Sequence, residues 1–300
     1  MSTVVDAKKW PGHVGSSTLA APVGPEDAPR TVGPFAVVVH VEMPDTPPGS
    51  LPVDLDVRPH PHIGLTAISY VLEGAVTHRD SQGVRREITS GDIGITLSGK
   101  GIVHSERFER KRLLGGAFEM FQLLLALPDG AEDMDAAFLY RAASEIPVAQ
   151  SDGVKVKWCF PSPPEVPAGV GFGAPVLLAD ITIEPNATWT VPEVPERALY
   201  VMRGQIEAGD AKAMAGQVLH LSAGAADVHA LEPSRIIAFG GTNVGERYFW
   251  WNYIHSSLER IEAAKAEWRA SRVKLPDGDT ESFTPCPPDD GRPLRVLNRK

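Results

Sequence analysis

Cysteine is scarce: the 300 residues contain two. Cys159 in "VKWCFP" and Cys286 in "FTPCPP" lie far apart, so neither a CxxC metal knuckle nor a disulfide framework can be written. A reducing, cytoplasmic setting is the expectation. Long apolar runs are missing as well. The longest, near "FQLLLAL" (121–127), is too short to cross a bilayer, and "MSTVVDAKKWPGHVGSS" lacks the apolar stretch of a signal peptide. No membrane partner is expected. Positive charge is in deficit, with 29 Lys plus Arg against 38 Asp plus Glu and a formal charge of -9. That balance disfavours direct nucleic-acid binding through phosphate neutralisation.

The chain does have turns. It contains 28 Gly and 27 Pro in a composition that is 43% hydrophobic and 22% charged, which reads as a turn-rich β protein. Between about 34 and 127, short strand-like segments alternate with turn signals: "FAVVVHVEM", "GLTAISYVLEG", "AVTHRD", "REITSGD", "IGITL", "GIVHSERF" and "FQLLLALP". An acidic, weakly periodic connection follows over 128–153, after which strand text resumes with "VKVKWCF", "APVLLADITIE" and "RALYVMRGQIEAG". The halves resemble each other: "SYVLEGAVTHRD" and "LYVMRGQIEAGD" each end a strand near Tyr70 or Tyr200 and turn at Gly74 or Gly204. Expected, then, is an all-β chain of two antiparallel barrels of the jelly-roll kind, 1–140 and 141–300. A C-terminal helix near 256–271 should be capped by Ser256 or Ser257 and carry Leu258, Ile261, Ala264, Lys265 and Trp268 at helical spacing. The last thirty residues, rich in Pro and Asp, read as surface chain.

One spacing carries chemistry. Side chains at i and i+2 of a strand point the same way, so His60 and His62 in "RPHPHIG" share a face, and Pro61 biases His60 toward extended backbone. His104 and Glu106 in "GIVHSERF" repeat the spacing. A single His-x-His is common on ordinary surfaces. Two such pairs on neighbouring strands instead project three imidazoles and a carboxylate to one place, a donor set for a first-row transition metal.

The segments "HPHIGLTAISYVLEGAVTHRDS", "ITSGDIGITLSGKGIVHSE" and "GERYFWWN" resemble, in order, the signature segments of the pirin family, bicupins of the cupin superfamily. The resemblance implies two cupin domains: an N-terminal one whose metal is held by His60, His62, His104 and Glu106, and a C-terminal one lacking metal ligands. Around "TVPEVPERALY" no histidine appears, and His229 stands alone. Iron(II) ranks first as the cofactor, with manganese, nickel, copper or zinc allowed. Family members are described as quercetin 2,3-dioxygenases or as iron-dependent regulatory proteins. The resemblance therefore implies an enzyme that opens a flavonol with O2, with Glu106 as the catalytic base. The alternative is a redox-sensing binding protein acting through a regulatory protein partner. Two departures from the family pattern are Ile63, where many pirins carry a basic residue, and "TLSGKG" at 96–101.

Other motifs are assigned to structure. "GITLSGKG" lacks the Ser or Thr after its lysine that a phosphate loop needs, so Lys100 is a turn residue. "HRD" at 78–80 lacks a kinase context and is read as a hairpin turn. Ser105 should face away from its histidine neighbour. The cluster Tyr248, Phe249, Trp250, Trp251 and Tyr253 is expected to pack the helix against a barrel, and Phe118, Met120 and Phe121 to line the cavity.

Overall fold

The structure is a computed structural model describing residues 2–9, 16–21, 30–160, 175–224, 226–289 and 294–299. Its first unit is built from β1 (Phe35–Thr46), β2 (Val57–His62), β3 (Leu65–Glu73), β4 (Ala75–Asp80), β5 (Arg85–Thr89), β6 (Ile93–Leu97), β7 (Ile102–Arg107) and β8 (Gly116–Ala126). A short helix α1 (Glu109–Leu114) joins the last two strands. The second unit repeats the set as β9 (Val176–Ile183), β10 (Thr188–Val191), β11 (Glu196–Arg203), β12 (Gln205–Ala208), β13 (Ala211–Met214), β14 (Gln217–His220), β15 (Ala226–Ala230) and β16 (Ser234–Gly241).

The two strand orders coincide. One sheet of the first unit runs β2-β7-β4-β5 and the other contains β6-β3-β8-β1; in the second unit these become β10-β15-β12-β13 and β14-β11-β16-β9. Every strand thus corresponds to the strand eight later. Flanking strands widen each larger sheet to seven: Ala137–Arg141 pairs with β6, and Thr3–Asp6, from the start of the chain, pairs with β14 in the other unit. All the strand pairings are antiparallel. The expected barrels are therefore present as two jelly rolls, each a four-stranded sheet packed against a seven-stranded one.

Alternation along the strands makes three cores. Leu65, Ala67 and Val71 of β3 and Phe118, Met120 and Leu124 of β8 fill the first unit, while Leu177, Ile181, Leu199, Val201, Val228 and Ile236 fill the second. The opposite faces of the large sheets meet between the units, where Ile68, Tyr70, Phe121 and Leu123 pack with Leu178, Tyr200, Ile237 and Phe239. Phe121 belongs to this face and does not line the first unit's interior: it lies one residue out of phase with Phe118 and Met120. The repeat noted in the sequence rests on the same turn. Gly74 and Gly204 have φ of 82° and 83°, and a Cβ would meet Ala117 O at 2.8 Å or Pro233 O at 2.5 Å.

The helix α2 spans Leu258–Arg269, with Ser257 Oγ accepting from Arg260 N. Its buried Ile261 and Ala264 pack with Ile63, Trp250 and Tyr253, so the aromatic cluster serves as core. The chain end differs from the expected surface segment. Leu297 is fully buried in the first unit's core, and Arg295–Leu297 pairs with Arg247–Trp250. Upstream, Asp279 accepts from Ser105 Oγ at 2.6 Å and from Arg107 Nε at 2.8 Å, while Thr284 N donates to Pro59 O at 2.8 Å. This segment straps the outer face of β2 and β7. Their inner face carries the site.

Candidate metal centre

Register brings the two sequence pairs together. On β7, His104 lies opposite His60 and Ile102 opposite His62, and on its other side His104 faces Asp80 and Glu106 faces His78. Directly opposed residues share a face. Six polar side chains, His60, His62, His78, Asp80, His104 and Glu106, therefore share the inner face of the four-stranded sheet. Ser105, between two of them, points out under the C-terminal strap, as the alternation predicts.

Ligand atoms of His60, His62 and His104 lie within 4.8 Å of one another, and these residues are 7%, 3% and 1% exposed. Desolvation by burial lowers the pKa of all three, most strongly at His62 and His104, so the rings are neutral at neutral pH. Two rings also have their tautomer fixed. His60 Nδ1 is 2.9 Å from Arg58 O and His62 Nδ1 is 3.0 Å from Asn252 O. A carbonyl only accepts, so each Nδ1 carries the proton and each Nε2 keeps its lone pair.

A transition-metal ion fits between these rings. His62 Nε2 and His104 Nε2 are 3.0 Å apart. Two nitrogens each about 2.1 Å from an ion and at right angles to each other stand about 3.0 Å apart, the cis edge of an octahedron. Neutral imidazoles with protected Nδ1 protons are the donors such an ion takes.

Glu106 is 5% exposed and stands apart from the three-imidazole grouping. Its Oε1 is 3.0 Å from Ser69 Oγ, which is itself 3.0 Å from Gln122 Oε1 across β3 and β8. Its charge opposes the burial-driven fall of the His60 pKa. The carboxylate is thus held at the edge of the cluster by the facing sheet.

Sequence reasoning missed His78 and Asp80. "HRD" is not a turn: it ends strand β4, with His78 and Asp80 buried beside the cluster and His78 Nε2 3.0 Å from Asp80 Oδ2. The signal was the spacing itself, a third i, i+2 pair like the other two. In a second grouping, His40, Glu42 and Glu119, two members are already engaged, since His40 bonds Glu119 at 2.8 Å and Tyr200 at 3.3 Å and Arg203 approaches Glu119 at 3.7 Å. His229 bonds Thr188 on the outward face of the second unit.

A family model described as Pirin matches residues 17–125, and one described as the Pirin C-terminal cupin domain matches 178–274. A "Pirin-like protein" of Caulobacter vibrioides is 38% identical over 274 residues, covering 88% of this chain and 92% of the relative. Among solved structures, a quercetin 2,3-dioxygenase from Acinetobacter baumannii superposes with a TM-score of 0.83 at 22% identity, covering 98% of this chain and 97% of its own. The Escherichia coli pirin YhhW in complex with nickel(II) gives a TM-score of 0.62 at 18% identity, over 81% of this chain and all (100%) of its own. At those identities the structures speak for the fold. Together with the two matched domains, the Caulobacter relative shows that this chain belongs to the pirin family.

Proposed function

We propose that the chain is a metal-dependent dioxygenase acting on a flavonol-like aromatic enol, its ion held by His60, His62, His104 and Glu106, with iron(II) the first choice. The observation that carries the reading is the convergence of three neutral, buried imidazoles beside one carboxylate in the first unit, a grouping that the second lacks among the described residues. The likeness in fold to a quercetin 2,3-dioxygenase supports the substrate class, and nickel in YhhW is consistent with a site that accepts related ions.

When bound, the ion would supply Lewis-acid anchoring of an enolate and a route for electrons toward O2. The protein's own groups do the rest. Glu106 takes the proton of the substrate hydroxyl on a carboxylate oxygen, and Ser69, backed by Gln122, keeps that carboxylate in place. Burial holds the imidazoles neutral so that they do not compete for this proton.

Elemental analysis after anaerobic iron(II) loading, followed by oxygen uptake with quercetin, tests the reading. A bound ion with quercetin-dependent oxygen consumption is expected, and Glu106→Gln should slow it by roughly 100- to 10,000-fold. Wild-type turnover in that variant would remove Glu106 from the base role. A bound ion without turnover on any flavonol would contradict the dioxygenase and favour a regulatory binding protein.

A further inference from the structure

The three imidazoles of the cluster are not held alike. His60 and His62 each donate Nδ1–H to a main-chain carbonyl. His104 has no carbonyl there: its Nδ1 lies 3.4 Å from Nδ1 of His78. His78 Nε2 is 3.0 Å from Asp80 Oδ2, and Asp80 Oδ1 accepts from Gln82 N at 2.9 Å and Val84 N at 3.1 Å. Asp80 is fully buried, His78 is 2% exposed, and Phe138 stacks on the His78 ring with centroids 4.2 Å apart.

The protons of this chain can be assigned from its far end. The Asp80 carboxylate only accepts, so His78 Nε2 carries a proton, and in the neutral ring His78 Nδ1 is then a lone pair. That lone pair can only accept from His104, which places the His104 proton on Nδ1 and leaves Nε2 free toward His62. We propose that His78 and Asp80 are positioning residues that fix the tautomer and orientation of the His104 imidazole, making its Nε2 a metal donor. The inference rests on the metal reading above and assigns the two residues a role outside the ligand set.

The turn shared at Gly74 and Gly204 aligns His78 with Ala208, so the corresponding strand β12 of the second unit carries no imidazole at this place.

The decisive substitution is Asp80→Asn. Its side-chain oxygen must stay toward Gln82 N and Val84 N, because the flipped amide would set its NH2 against both donors. The NH2 then faces His78 Nε2, forces the His78 proton onto Nδ1, and pushes the His104 proton onto the nitrogen that should bind metal. His78→Phe keeps a ring stacked on Phe138 but removes the acceptor.

The test uses zinc(II) on the full chain. Zinc affinity by competition with a chromophoric chelator should fall roughly 10- to 100-fold in Asp80→Asn and in His78→Phe, measured on zinc-free protein whose melting curve shows it folded. Independently, long-range 15N–1H spectra of zinc-loaded wild type should show His78 protonated at Nε2 and bare at Nδ1, a readout that needs no variant to fold. A His78 proton on Nδ1, or wild-type zinc affinity in both variants, would overturn the proposal. Failure of the metal reading looks different: wild type itself would take up no zinc.

Discussion

The two units place chemically opposite side chains on one scaffold. Where the small sheet of the first unit turns His60, His62, His78, Asp80, His104 and Glu106 inward, that of the second buries Trp189, Val191, Ile206, Ala208, Val228 and Ala230. On the facing sheet, Ser69 corresponds to Leu199 and Gln122 to Ala238. A polar face in one unit is thus an apolar face in the other, and those apolar residues sit in the second unit's core. The jelly roll therefore closes well without a polar interior. Burying imidazoles and carboxylates costs desolvation that an apolar core avoids, a cost that the proposed metal would offset in the first unit.

The sharpest way to probe this contrast is to change one inward residue in each small sheet. His60→Ala should lower metal affinity by more than the roughly 100-fold of a lost outer partner. Trp189→Ala should leave metal affinity alone and destabilise the fold by about 3–5 kcal/mol, as expected of a large side chain deleted from a core. Titration and denaturant unfolding separate the two outcomes, and an affinity loss in Trp189→Ala would break the comparison.

Acid separates the units next. The three imidazoles have pKa values lowered by burial. Above about pH 6.5 folded and unfolded chains both hold neutral rings and the shift has no effect. Below it the unfolded chain binds protons that the folded cluster refuses, so stability falls as pH falls, by up to about 1.4 kcal/mol per pH unit for each ring. In metal-free protein, hydrogen exchange should therefore show the first unit losing protection before the second as pH drops from 6.5. Equal loss would contradict the assignment of the burial penalty to the cluster.

Smaller effects should follow from placing a polar group where the second unit has none. Val228→His sets an imidazole among the apolar residues of the second unit's core. A cost of about 1–3 kcal/mol for an unsatisfied buried ring is expected, with no second ion by elemental analysis. Smallest is the strap: Asp279→Ala removes the acceptor of Ser105 and Arg107 and should cost about 1–2 kcal/mol, read as a lower melting temperature with the ion still bound.

Much of this architecture is legible in the sequence because it is local. Strand alternation, Gly74 and Gly204 at matching turns, and the Ser257 cap each depend on residues a few positions apart. The convergence of His60, His62 and His104 could be anticipated because i, i+2 spacing sets the face. What stayed hidden depends on distant register. "HRD" sits before "SQG", and that turn signal drew the whole segment into a hairpin reading; only pairing with β7 shows His78 and Asp80 beside His104. The contact of Asp279 with Ser105 spans 174 residues and leaves no local trace. Phe121, next to Phe118 and Met120 in sequence, invites a place in the cavity, but alternation turns it to the other unit.

The measurement that tests the central claim most directly is anomalous diffraction at the iron edge from crystals grown anaerobically with iron(II). A single strong peak among His60, His62 and His104, with nothing inside the second unit, is the predicted result. A peak elsewhere, or an empty first unit under full loading, would contradict it.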